Sequence, residues 1–262
     1  MAAEPIGLRG DGPLARAIVE AWLTGGSTSA LAWSIDPQAA SLSTALRRWS
    51  QTHGARLQGE AIRFGDGRRV ELGEGSDAAP ERRTIDARGW RPSVGRKRID
   101  PAPALAAAPV LERLLAGPGL RWVHVDALLG AREGHPNFGS VLASAEVIEP
   151  GEGLSAAIAR RLPGLAGKLS AGATHGPQHG ESLMICAMLA PGASLEGVRD
   201  LLVDSARPPV EAAPGARSDE ALGRAAVLVD TSAIQGVGPL IRVLAHYDPA
   251  PLLAAATWEA LT

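Results

Sequence analysis

A single cysteine, Cys186, rules out an intrachain disulfide, and without CxxC or paired Cys/His spacing a structural zinc site has nothing to build on. No window approaches the roughly 18 uninterrupted apolar residues of a membrane span, and the opening MAAEPIGLRG lacks the basic-then-apolar order of a secretion signal. A cytoplasmic chain without membrane attachment is the expectation. Neither sign of charge dominates: 26 Lys and Arg against 28 Asp and Glu leave a formal charge of −2, so nothing electrostatic calls for a nucleic-acid partner. The GxSxG elbow of serine hydrolases and the Walker-type phosphate loop are also missing.

What is present is an ordinary globular composition of 262 residues, 45% apolar and 21% charged, enough for two modest domains. Abundant Ala, Gly, Arg and Pro fit a GC-rich bacterial genome.

The first segment, PIGLRGDGPLARAIVEAWL, reads as a short strand, a glycine turn and an amphipathic helix with Leu14, Ile18, Ala21 and Trp22 at helical spacing. The strand LAWSIDP follows and completes a βαβ unit. Leu42, Ala45, Leu46 and Trp49 mark a second helix, and AIRF and RRVEL flank a GDG turn that predicts a hairpin. From Gly75 to Asp100 the periodicity dissolves into a polar stretch with prolines at 80 and 92, read as a linker or long loop. Its Arg82, Arg83, Arg88, Arg91, Arg96, Lys97 and Arg98 are diluted by acidic neighbours and accompanied by one aromatic, Trp90. A solvated loop is favoured over a phosphate or nucleic-acid site. Beyond it come helix APALAAAPVLERLLAG, strand LRWVHVDALL, a strand around LASAEVI, helix LSAAIARRL, strand ESLMICAML and helix SLEGVRDLLVDSA. Strands around AAVLV and LIRVLAHY and a last helix near Pro251 follow, an α/β or α+β alternation rather than a bundle.

Several blocks, in order, resemble the glyceraldehyde-3-phosphate dehydrogenase family. GLRGDGPLAR resembles its nucleotide-binding turn, with Gly10, Gly12 and Ala15 as GxGxxA and Asp36 as the acidic residue ending the second strand. RWSQTHGARLQGE retains the His-Gly pair as His53 and Gly54, and the similarity is best from LSAAIARRL through ESLMICAML, continuing to IRVLAHYD. The resemblance implies an α/β plus α+β architecture. A truncated Rossmann-like dinucleotide-binding domain with the arginine-rich linker would occupy residues 1–100, and a catalytic-like mixed-sheet domain that assembles oligomers residues 101–262. It also implies NAD as the cofactor to consider, with Gly10, Gly12 and Asp36 as the residues to hold it.

The departures weigh more than the matches. Active members are longer, and the shortfall falls largely between Gly75 and Asp100, where the second half of the nucleotide domain belongs; a polar linker cannot replace buried parallel strands. The family's nucleophilic cysteine aligns with Ala102 and its activating histidine with Leu129, so thiolate chemistry has no residue to carry it. His124 lies five residues earlier, on the opposite strand face from Leu129 by period-two counting. The phosphate turn reads EPGEG, with Glu149 and Glu152 opposing an anion; the phosphate-binding arginine falls at His175, and the asparagine facing nicotinamide is Pro249. In the nucleotide turn Pro13 deletes a backbone donor and Asp11 adds a carboxylate, which favours glycines kept for the turn and close packing.

His175 and His179, with His135, have the look of metal ligands, but Gly176 and Pro177 break the helix that would align the first two, so no metal is expected. Cys186, inside LMICAML, reads as a packed core thiol, and Tyr247 and Trp258 as packing residues. The leading expectation is a catalytically inactive homologue acting as a homo-oligomer, or as a hetero-oligomer with an active paralogue. The alternatives are a divergent NAD-dependent aldehyde or sugar-phosphate oxidoreductase and a phosphorylated-metabolite sensor using the basic linker and His175.

Overall fold

The computed structural model describes residues 5–25, 29–35, 40–73, 83–88, 90, 92–130, 153–176, 180–204 and 209–261. They form a mixed α/β protein with two sheets, each containing parallel and antiparallel pairs. The chain divides into two compact units, residues 1–99 with 253–262 and residues 100–252. Among the described residues no helix is long and apolar enough to cross a membrane.

In the first unit β1 (Ile6–Arg9), α1 (Pro13–Thr24), β2 (Leu31–Ser34) and α2 (Ala40–His53) follow the predicted order. Short strands β3 (Arg56–Gln58), β4 (Ala61–Arg63) and β5 (Arg69–Leu72) come next, and β4 and β5 form the hairpin marked by the GDG turn. Strands β5, β2, β1 and β6 (Thr84–Asp86) lie side by side and parallel. Helix α1 buries Leu14, Ile18 and Trp22 of the expected stripe, joined by Ala15, Val19 and Leu23, while Ala21 is only half-buried. Trp22, Trp33, Trp49 and Phe64 gather beside it with ring centroids 6.2 Å apart. Arg68 donates to the carbonyls of Trp22 (2.9 Å) and Leu23 (2.6 Å), which the end of α1 leaves without helical partners. Its guanidinium also sits 5.1 Å from the Trp22 ring centroid.

The arginine-bearing stretch corrects the linker expectation. Its described residues contain β6, β7 (Ser93–Val94) and β8 (Lys97–Arg98), which extend the sheet beyond β1. Each is two or three residues long and buries one apolar residue at most, Ile85 in β6 and Val94 in β7, so no period shows in the sequence. Arg96, Lys97 and Arg98 stand exposed on the β7–β8 turn.

The second unit is a six-stranded sheet in the order β10-β9-β11-β14-β13-β12. Its strands are β9 (Leu120–Leu129), β10 (Leu169–His175), β11 (Glu181–Leu189), β12 (Val210–Ala213), β13 (Val227–Val237) and β14 (Leu240–Tyr247). Helices α3 (Ala102–Ala116), α4 (Leu154–Arg161) and α5 (Leu195–Asp204) pack on it, α3 against β9 and β11, α4 against β10, α5 against β12 and β13. Alternate residues fill the covered face: Val123, Val125, Ala127 and Leu129 from β9, Leu183, Ile185, Ala187 and Leu189 from β11, Ile241, Val243 and Ala245 from β14. Each large aliphatic side chain so buried contributes about 1.5–3 kcal/mol. Asp100 accepts from Arg160 and Arg161 at 2.9 Å each, fixing the entry to α3 against α4. The strand expected around LASAEVI lies outside the described residues. Helix α6 (Pro249–Leu261) begins in this unit, but residues 253–262 group with the first, where Trp258 Nε1 donates to the Ile18 carbonyl at 2.9 Å.

Candidate functional site

The residues between those that fill the covered face point the other way, and β-sheet register arranges them in rows across five strands. One row runs Trp122, Met188, Leu240, Val237. The next runs Ser170, His124, Cys186, Arg242, Gln235, and the third Gly172, Asp126, Met184, Leu244, Asp230. The last runs Thr174, Leu128, Ser182, His246, Leu228. This face is only partly buried. Trp122 is 42% exposed, Leu240 48% and Val237 83%, and Leu128 and Met184 are exposed as well.

Polar groups on the face are tied to one another. His124 Nδ1 lies 2.7 Å from Ser170 Oγ and its Nε2 3.0 Å from Asp126 Oδ1, while Trp122 stacks on the imidazole with ring planes 9° apart. Arg242 donates to Gln235 Oε1 at 2.7 Å. At the far end Ala216 and Ala221 pack on Leu228, burying that row's β13 end together with His246. Ser182 Oγ lies 2.8 Å from His246 Nδ1. Burial holds the His246 imidazole below its ordinary value, against the opposing pull of the Ala216 backbone and the carboxylates of Asp230, Glu220 and Asp219.

Asp230 organises the irregularity that lets β13 resume pairing at Gln235. Its Oδ1 accepts from Ser232 Oγ (2.6 Å), Gly215 N (2.8 Å), Ser232 N (2.9 Å) and Ala233 N (3.3 Å). Burial works to raise this carboxyl, but the bonds from Ser232, Gly215 and Ala233 outweigh it and leave Asp230 below the usual value. Gly180, at φ +75°, lies so close to residue 218 that a Cβ there would clash with the Ser218 carbonyl oxygen.

The residues singled out in the sequence are dispersed. Ala102 is the first residue of α3 and is buried; Leu129 ends β9 on the covered face. His124 stands on the other face, as period-two counting predicts, and the backbone of His175 pairs in register with Leu129. Pro249 is the first residue of α6, Tyr247 is fully buried, and Trp258 is half-buried. Asp36, His135, Glu149, Glu152 and His179 lie outside the described residues.

At the nucleotide-like turn, Gly10 has φ +127°, and a Cβ there would meet the Ala87 carbonyl carbon and oxygen at 2.9 Å. The Ala87 amide donates to the Arg9 carbonyl (2.8 Å), and Trp33 Nε1 donates to that of Gly10 (2.6 Å). The chain's own backbone therefore requires a glycine at this point. Gly12 precedes α1 with open space around it, and Pro13 takes the first helical position. Nearby, Arg88 pairs with Asp86 at 2.5 Å, and that hydrogen bond holds the Asp86 carboxyl below its usual range.

Cys186 differs from expectation. It is half-buried on the uncovered face, while Leu183, Ile185, Ala187 and Leu189 supply the core. Among the described residues no group of three or more His, Cys, Asp and Glu side chains is placed to hold a metal ion. In comparison with known proteins, no family model matches the chain, and no curated protein matches it.

Proposed function

We infer that this chain is a non-catalytic homologue of the glyceraldehyde-3-phosphate dehydrogenase family that acts by association, joining a second copy through the uncovered face of the β9–β14 sheet. The exposed face, with Trp122, Leu240, Val237, Leu128 and Met184 uncovered among polar residues, carries the reading. Five strands about 4.8 Å apart and seven residues at about 3.3 Å outline roughly 550 Å², the already buried Leu228, Asp230 and His246 positions included, before side-chain relief is counted. Doubled across two copies, that upper bound falls just short of the roughly 1,200 Å² at which stable interfaces begin. The face also suits a copy of itself, as a two-fold interface requires. With the axis along β11 each row meets its own counterpart, so Trp122, Met188 and Leu240 lie on an equally apolar row. Arg242 then comes within one row of the second copy's Asp126, pairing opposite charges.

Supporting the family reading are the parallel order β5-β2-β1-β6 in the first unit and the helix-backed mixed sheet in the second. Supporting the loss of chemistry are the apolar side chains of Ala102 and Leu129, neither of which can attack a carbonyl or accept a proton. Association is tested by sedimentation velocity from 1 µM upward, on the order of the concentrations at which such interfaces assemble. The wild type is expected to sediment as a dimer and Val237→Asp/Leu240→Arg as a monomer with an unchanged far-ultraviolet spectrum. A wild-type monomer at several hundred micromolar, or a variant that still dimerises, would overturn the reading.

A further inference from the structure

At the β10 side of the uncovered face a serine, a histidine and an aspartate stand in a bonded line. Register sets His124 of β9 beside Ser170 of β10, with Asp126 two residues further along β9 on the same face. His124 Nδ1 lies 2.7 Å from Ser170 Oγ and Nε2 lies 3.0 Å from Asp126 Oδ1. A carboxylate only accepts, so the proton of the neutral imidazole sits on Nε2 and Nδ1 keeps its lone pair. The Ser170 hydroxyl must then donate to Nδ1. Its proton is aimed at a base whose tautomer a carboxylate holds, which is the arrangement that makes a hydroxyl nucleophilic.

The same face holds an internal contrast. Ser182 Oγ lies 2.8 Å from His246 Nδ1, but that ring is buried and no carboxylate bonds its Nε2. Around Ser170 there is also room. Gly172 follows it on the uncovered face and pairs with Asp126, and a Cβ built there would meet nothing nearer than Asp126 Oδ1 at 3.7 Å. The glycine thus leaves an open notch between the serine and the carboxylate. Trp122, exposed and stacked on the imidazole, lends an apolar surface beside it, while the charge of Asp126 opposes an anionic ligand.

We propose that Ser170 is an activated nucleophile that takes an acyl group from an uncharged ester with an aromatic or aliphatic body, with His124 as its base and Asp126 as a positioning residue. Ser170 Oγ attacks the ester carbonyl carbon as its proton passes to His124 Nδ1. The bond from that carbon to the alcohol oxygen breaks, and the proton moves from Nδ1 to the departing oxygen. The products are an O-acyl serine and one free alcohol, and nothing is oxidised or reduced. One acyl group is taken up per chain, so the step is a modification of the protein and not a return of the aldehyde chemistry lost at Ala102 and Leu129. The inference does not rest on association, although the same face carries both.

The test is incubation of the full chain with p-nitrophenyl acetate, an uncharged aromatic ester. A neutral hydroxylamine wash then strips any thioester from Cys186, and tandem mass spectrometry locates the acetyl groups that remain. One acetyl group on Ser170 and none on Ser182 is expected. His124→Gln should slow its accumulation about 100-fold and Asp126→Asn about tenfold, with Asp126→Glu restoring part of the rate. Acetylation of Ser182 as readily as Ser170, of neither serine, or of Ser170 at an unchanged rate in His124→Gln would overturn the proposal. The Val237→Asp/Leu240→Arg chain, altered on other strands, separates the two readings. Undiminished labelling there upholds the nucleophile whatever the association state, and lost labelling overturns a nucleophile formed within one chain.

Discussion

Replacing Asp230 with asparagine keeps the shape of the side chain and removes its charge, which isolates what the carboxylate does for the second unit. One oxygen accepts from Ser232 N, Ser232 Oγ, Gly215 N and Ala233 N at 2.6–3.3 Å, joining the β13 irregularity to the turn at Gly215. Hydrogen bonds to a charged partner contribute about 1.5–3 kcal/mol each, but four sharing one atom do not add, and the amide oxygen still accepts. A loss of about 2 kcal/mol is therefore expected, which at a urea slope of about 2 kcal/mol/M lowers the midpoint by about 1 M. The pH dependence follows from the direction of the shift. A native carboxyl held below its unfolded value of about 3.9 stabilises fully above that value, and the contribution is lost as pH falls through the native one. Wild type and Asp230→Asn should differ at pH 7 and converge under acid. Equal midpoints at pH 7, or a gap indifferent to pH, would refute the reasoning.

Gly10→Ala should lower the melting temperature sharply, because its Cβ would press on the Ala87 backbone from a left-handed conformation, whereas Gly12→Ala, with open space around it, should be nearly neutral in the same melt. Arg68→Ala removes the donors to the Trp22 and Leu23 carbonyls and should cost about 1–3 kcal/mol by denaturant unfolding, with Arg68→Lys recovering part of it. For His246, a native value held below the ordinary 6.5 means stability is intact above that pH and drains as pH falls toward the native value. His246→Gln should flatten that part of the midpoint-against-pH curve. Calorimetric titration with NAD to millimolar concentration should show no saturable heat, since Pro13 removes a donor from the helix start and Asp11 adds a carboxylate beside it.

Periodicity made much of this fold readable. Leu14, Ile18 and Trp22 of the α1 stripe and the outward His124 opposed to the inward Leu129 were visible as patterns of period 3.6 or 2, and the β4–β5 hairpin from its GDG turn. Strand β10 was missed because LSAGATH offers one large apolar side chain, Leu169, and only small Ala171 and Ala173 beside it, none of them fully buried, its pairing depending on β9 alongside rather than on its own burial. Strands β6 to β8 were missed because the arginines that surround them outnumber the one or two residues that reach the core. The uncovered face was hidden for the opposite reason. LMICAML is apolar on both sides, so composition could not tell Cys186 from Ile185, and only the helices packed on one side of the sheet make the difference. The alternation of LRWVHVDALL was the available clue, since a strand half polar on one face announces that the neighbouring strand is also half uncovered.

The grouping of residues 253–262 with 1–99 has a bearing on how the molecule is made. A nascent chain emitting residues at about 5–20 per second exposes the first 99 long before the last ten, with residues 100–252 still to come. For roughly 8 to 30 seconds the Ile18 carbonyl must wait without the Trp258 indole that will donate to it. The unit whose synthesis begins first thus waits for residues made after the whole of the second unit, and removing residues 253–262 would injure the part of the protein translated first.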